Sequence, residues 1–168
     1  LGDTIHDLSV LSQLLENFPN DKIYYICNNV GKDILKYSFC YKKITIIPIV
    51  NYIDALMAII KVPFRADFFI VGCGNNIKKV SFFLKFLYPR VSGASIPNYP
   101  DLKLIKSWNN VSNFDVLLQP IPAAHRIFTN WKLLDSLGIH GKVHFPQLNL
   151  SQVQLVKLPA TIKEIIRK

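Results

Sequence analysis

Residues 43–61 read KITIIPIVNYIDALMAIIK, and this stretch decides the fold. Residues 43–50 read as a strand: from Ile44 onward they are apolar or β-branched at consecutive rather than alternate positions, the pattern of a strand covered on both faces. Pro48 lies near the end of that strand, where a missing amide donor is tolerated. Residues 51–61 then switch to helical spacing. A buried strand running straight into a helix is half of a β-α-β unit, and such units build parallel sheets.

The same alternation recurs on either side. Upstream, KIYYIC (22–27) reads as a strand and GKDILKYS (31–38) as a short helix. Downstream come ADFFIVG (66–72) as a strand, NNIKKVSFFLKFLY (75–88) as a helix ended by Pro89, and RVSGAS (90–95) as a short strand. Residues 96–124 are rich in Pro and Asn and loop-like, with a strand at FDVLLQ (114–119). AAHRIFTNWKLLDSLG (123–138) is a helix with Gly138 suited to its C-terminal cap. Residues 139–157 look irregular, and TIKEIIRK (161–168) reads as the start of a helix. Ile5, Leu8, Leu11, Leu15 and Phe18 lie at helical spacing over residues 4–18, and Pro19 ends the run. The expectation is an α/β fold with a doubly wound parallel sheet over residues 1–150, followed by a linker and helix start over 151–168. The first helix of such a fold follows a central strand, so a strand is expected ahead of Leu1.

Half of the 168 residues are apolar, enough for a real core and too many for a disordered chain. The apolar run around residues 44–64 is broken by Pro48, Asn51, Asp54 and Pro63, so it does not read as a membrane span. The opening residues lack the basic and apolar regions of a signal peptide. The net charge of +9 favours an anionic partner such as nucleic acid, a phosphorylated glycan, a nucleotide or an acidic lipid surface. The basic residues are scattered, so no nucleic-acid tail stands out. Cys27, Cys40 and Cys73 lack metal-ligand spacing and read as ordinary thiols in a reducing compartment. His140 and His144 are four apart, but the glycines around them argue against a helical metal pair. No metal is expected.

Gly2 and Asp3 precede the first helix, at the carboxyl edge of the expected sheet, where ligands bind in this class. The positive end of the helix stabilises an ionised Asp3, as a general base requires. Asp is also a favoured N-cap, and Thr4-x-x-Asp7 fits a capping box. His6 falls in the first turn near the same edge. Gly72-Cys73-Gly74-Asn75-Asn76 lies between a strand and a helix, a place where backbone amides can cradle an anion, although a plain turn has the same composition. Lys78 and Lys79 follow it, and Arg126 next to His125 opens a later helix. Each basic group can hold an anion or sit on a solvated face.

The string LGDTIH, with a helix closing on Phe18-Pro19, resembles the start of the lipopolysaccharide heptosyltransferases (glycosyltransferase family 9). Members carry a Gly-Asp-x-x-His-x-x-Pro-like run after their first strand. Gly2, Asp3 and His6 match it, and Ser9 stands at the Pro position. ADFFIVGCG is similar to the family strand that ends in an acid-x-Gln-Gly run, of which Gly74 matches, while Val71 and Cys73 replace the acid and the Gln. Lys78 or Lys79 stands near the family's following Lys. RVSGAS resembles the next short strand. AAHRIFTNWKLLDSLGI resembles the family's His-led helix, with His125 and Leu137-Gly138 matching and Phe128 and Thr129 in place of a Glu-Arg pair. Nothing resembles the family's donor domain.

The resemblance implies the Rossmann-like N-terminal half of a GT-B glycosyltransferase. The implied reaction moves a sugar from a nucleotide-sugar donor, ADP-heptose-like, to a hydroxyl of an anionic lipopolysaccharide-type acceptor. Asp3 would be the general base. Gly2, Thr4, His6, Gly74, Lys78, Lys79, His125 and Arg126 would bind substrate, with no further cofactor. It also implies a cytoplasmic location at the inner face of the membrane, a donor domain C-terminal to these residues, inactivity of this half alone, and no nucleic-acid partner. The alternative is a non-catalytic α/β module that binds an anionic glycan or nucleic acid.

Overall fold

The computed structural model describes residues 2–72, 83–95, 114–119, 121, 124–146 and 148. Within them the chain alternates helix and strand: α1 (Gly2–Asn17), β1 (Tyr24–Cys27), α2 (Asn29–Leu35), β2 (Thr45–Pro48), α3 (Tyr52–Lys61), β3 (Phe68–Val71), a helical stretch over 83–87, β4 (Val91–Ser95), β5 (Val116–Leu118) and α4 (Arg126–Ser136). All ladders are parallel. The expected alternation of helices and parallel strands is therefore found among the described residues.

Local chemistry sets the boundaries. Asn28 caps α2 by accepting the Gly31 amide at 2.8 Å, so that helix begins two residues before the expected position 31. Asn51 and Asp54 form a capping box on α3. His125 is the N-cap of α4, and Gly138, with φ +78°, follows its C-cap Leu137. The strands pair over three to five residues, shorter than their apolar runs. Most of the expected 75–88 helix and the 161–168 helix start fall outside the described residues.

The side chains sort by strict alternation. Tyr25 and Cys27 of β1 and Ile46 of β2 face α1 and α2, against Leu8, Leu11, Leu15 and Leu35. Tyr24 and Ile26 of β1, Ile47 of β2 and Phe69 of β3 face the opposite way, against Ala58 and Val62 and the 83–87 stretch through Phe83 and Leu87. Phe68 and Ile70 of β3 pack with Val10 of α1, Leu134 of α4 and Ile139. Thus α2, α1 and α4 cover one face, and α3 with residues 83–87 covers the other. Buried polar groups on α1 are satisfied locally: Ser9 and Ser12 hydroxyls donate to His6 and Leu8 carbonyls at 2.7 Å, and the Gln13 amide reaches the Ile139 carbonyl at 2.8 Å.

The strands form two small sheets, β1-β2 and β3-β4-β5, rather than one hydrogen-bonded sheet. Among the described residues no ladder joins β1 to β3, yet α1 packs on both and their opposite faces share one core. Every residue of β1, and all of β3 except Val71, is only half-buried, whereas β4 is buried from Ser92 to Ser95. Partners on both edges bury a central parallel strand, and β1 and β3 each have one such edge.

Candidate functional site

The first two turns of α1, the end of β1, the residue after β3 and the first turn of α4 converge at the carboxyl edge of the strands. The cause is topological. A helix packed antiparallel on a parallel strand brings its N-terminus to that edge, and α1 and α4 both do so.

At the rim, Arg126 Nη1 makes an ion pair with Asp3 Oδ1, linking the first turn of α4 to that of α1. Asp3 lies inside α1, after its first residue Gly2, so it is a first-turn carboxylate rather than an N-cap. Beside this pair the His6 and His125 rings meet edge to face, 5.0 Å between centroids. His125 Nδ1 accepts the Ile127 amide at 3.3 Å. His6 Nδ1 is sealed from water and has no hydrogen-bond partner among the described residues. Burial first, then the neighbouring His125 and Arg126, lower the His6 pKa against the opposing pull of Asp3, which favours neutral imidazole.

Beneath the rim lies Asp7, one helical turn from Asp3. Tyr25 Oη donates to Asp7 Oδ2 at 2.7 Å, and Asn130 Nδ2 lies 3.5 Å from Oδ1. A Cβ on Gly72 would stand 2.5 Å from Asp7 Oδ1, so the turn after β3 needs glycine to let this carboxylate in. Burial pushes the Asp7 pKa up to about 6, beyond what the Tyr25 hydrogen bond offsets. Burial, followed by Asp7, raises Tyr25 as well, so the phenol stays protonated and donating. Cys27 nearby is pushed up to about 11 by burial, which leaves a thiol without nucleophilic character at neutral pH.

These contacts correct the capping reading of Thr4-x-x-Asp7. Thr4 is buried inside the helix, with its hydroxyl oxygen beside Gly31, and the Asp7 carboxylate turns toward Tyr25 and Asn130. Of the residues expected to form the site, Asp3, Thr4, His6, His125 and Arg126 share one edge, and Gly2 opens α1. Arg126, expected to hold an acceptor's charge, holds Asp3. Gly74, Lys78 and Lys79 lie outside the described residues. Sequence reasoning gave no role to Tyr25 or Asn130; the one available signal was the i, i+4 spacing of Asp3 and Asp7, which puts two carboxylates on one helical face.

The raised pKa of Asp7 makes stability pH-dependent. Its carboxyl is protonated in both folded and unfolded chains below 3.8; above that value the unfolded chain ionises first, so stability falls as pH rises from 3.8 to about 6. Asp7→Asn keeps an acceptor for Tyr25 and removes the titration. The variant is expected to exceed the wild type in stability by about 3 kcal/mol at pH 7, the two converging below pH 4, in urea unfolding across that range. A stability difference independent of pH would contradict this assignment.

The fold and this edge define a class, an α/β protein with parallel strands and a polar cluster where such folds bind ligands. No family model, curated protein or solved structure matches the chain. Among the described residues no helix is long and apolar enough to cross a membrane, and no group of three or more His, Cys, Asp or Glu is placed to hold a metal ion.

Proposed function

We propose that these residues are the acceptor-side half of a GT-B-type glycosyltransferase resembling the heptosyltransferases, with Asp3 as general base. The observation that carries this reading is the exposed Asp3 carboxylate at the carboxyl edge, fixed by Arg126 through Oδ1. The other oxygen, Oδ2, takes the acceptor proton. The acceptor oxygen then attacks the anomeric carbon of a nucleotide sugar, and the nucleoside diphosphate leaves. His6, beside His125 at the same edge, lines the approach to Asp3. Lys78 and Lys79, with Gly74 and His125, take the acceptor's negative charge, while Arg126 fixes Asp3. The donor binds to a second domain, and the enzyme works at the inner face of the cytoplasmic membrane.

In this reading the two small sheets are halves of one doubly wound sheet, completed by a strand between β1 and β3. The half-buried state of both strands and the helical layers they share support that arrangement.

The test is transfer itself. The natural gene product, given an ADP-activated heptose and a lipopolysaccharide-type acceptor, forms a glycosidic bond detectable as an added heptose mass. The Asp3–Arg126 pair also suits a non-catalytic module in which Asp3 shields an anion-binding arginine. That module forms no product, and Asp3→Asn strengthens its binding of a phosphorylated glycan.

A further inference from the structure

Helix α3 is apolar on both sides. Its inner side, Ala55, Ala58 and Ile59, belongs to the core. Its outer side carries Ile53, Leu56, Met57 and Ile60, spaced i, i+3, i+4 and i+7, and all are exposed, Ile53 at 70% and Ile60 at 76%. The stripe continues to Phe64, 64% exposed, whose ring lies 5.8 Å from that of Tyr88. A helix apolar all round is ordinarily buried, and an exposed apolar band of this kind marks an interaction surface.

The charge around the stripe identifies what it meets. Lys61 ends α3, and Arg65 follows at the next turn, its guanidinium 5.8 Å from the Phe64 ring. Arg65 and Arg90 line an open groove of about 510 Å³ with Phe64, Tyr88 and Pro89, and Lys85 lies beside Tyr88 and Pro89. The acids nearby are engaged: Asp54 in the α3 cap, Asp67 with Arg90 at 3.2 Å, and Asp115 with Ser92. The result is an aliphatic and aromatic stripe beside which Lys61, Arg65 and Lys85 make no ion pair among the described residues.

We propose that the outer face of α3, with Phe64, Tyr88 and the basic residues around them, docks on an anionic bilayer surface. The aliphatic side chains enter the headgroup–acyl boundary while the lysines and arginines meet lipid phosphates, as in interfacial amphipathic helices. A nucleic acid would use the cations and the two rings but leave Ile53, Leu56, Met57 and Ile60 without a role. No residue of α3 belongs to the Asp3 cluster, so this surface stands or falls apart from the transferase reading.

Cosedimentation with vesicles tests it. The chain is expected to pellet with phosphatidylcholine vesicles that contain phosphatidylglycerol, not with phosphatidylcholine alone, and to be released by salt. Ile53→Ser with Ile60→Ser lowers affinity roughly tenfold or more, and Lys61→Gln with Lys85→Gln lowers it roughly tenfold or more. These side chains are exposed, so circular dichroism of the variants should match the wild type. Three results overturn the proposal: no binding to the anionic vesicles, a solution dimer that the isoleucine changes dissociate, or amide-exchange protection of α3 by another segment of the same chain.

Discussion

On the proposed transferase reading, replacing Asp3 by Asn is expected to lower sugar transfer by roughly 10²- to 10⁴-fold, the usual contribution of a positioned general base. Asn has the same shape and keeps an oxygen for the Arg126 guanidinium, but it does not take up the proton of an acceptor hydroxyl. The lost Asp3–Arg126 charge pair is half-exposed, with side chains 50% and 37% accessible, so the fold loses at most about 1 kcal/mol. Activity and stability therefore separate: the variant melts close to the wild type and transfers far more slowly, measured as initial rates at saturating acceptor. Equal rates in the two proteins would remove Asp3 from the chemistry.

The largest stability effect is expected at Leu8. Its side chain is fully buried between Leu11, Leu15, Leu35 and Cys40, with Tyr25 and Cys27 packed against the same cluster. Leu8→Ala removes this joint between α1, α2 and β1 and leaves a cavity, at a loss of about 3–4 kcal/mol. The midpoint of urea unfolding falls with the slope unchanged. Leu8→Met keeps the volume and loses under about 1.5 kcal/mol. Because Asp7 precedes Leu8 and its partner Tyr25 packs on the Leu8 cluster, the Ala variant also loosens the Asp7 contact. A loss under about 1 kcal/mol would mean that α1 is not held as described.

Much of the fold was legible because the signals are local. The unbroken apolar runs of β1, β2 and β3 announce strands covered on both faces, and Asn51 with Asp54, His125 and Gly138 mark helix ends by their own chemistry. The split between β1 and β3 was not legible, because pairing depends on backbone edges rather than on side-chain pattern. The rim of the site, Asp3, His6, His125 and Arg126, followed from a short motif and from the rule that parallel sheets bind at their carboxyl edge. The interior of the site did not. Tyr25 looks like any aromatic strand residue and Asn130 like any polar helix residue, and only the packing of α4 beside α1 brings Asn130 to Asp7 across 123 positions. The outer face of α3 was read only as helical, since periodicity marks an apolar stripe without saying which side the core takes.

The central claim is that the edge built by Asp3, His6, His125 and Arg126 receives an anionic glycan acceptor. Its most direct test is a ¹⁵N amide-shift titration of these 168 residues with a phosphorylated lipopolysaccharide-core oligosaccharide that carries no lipid. Saturable shifts are predicted at Asp3, Thr4, His6, Gly72 and Arg126, and Asp3→Asn should retain them. Shifts confined to other surfaces, or none at millimolar glycan, would contradict the claim.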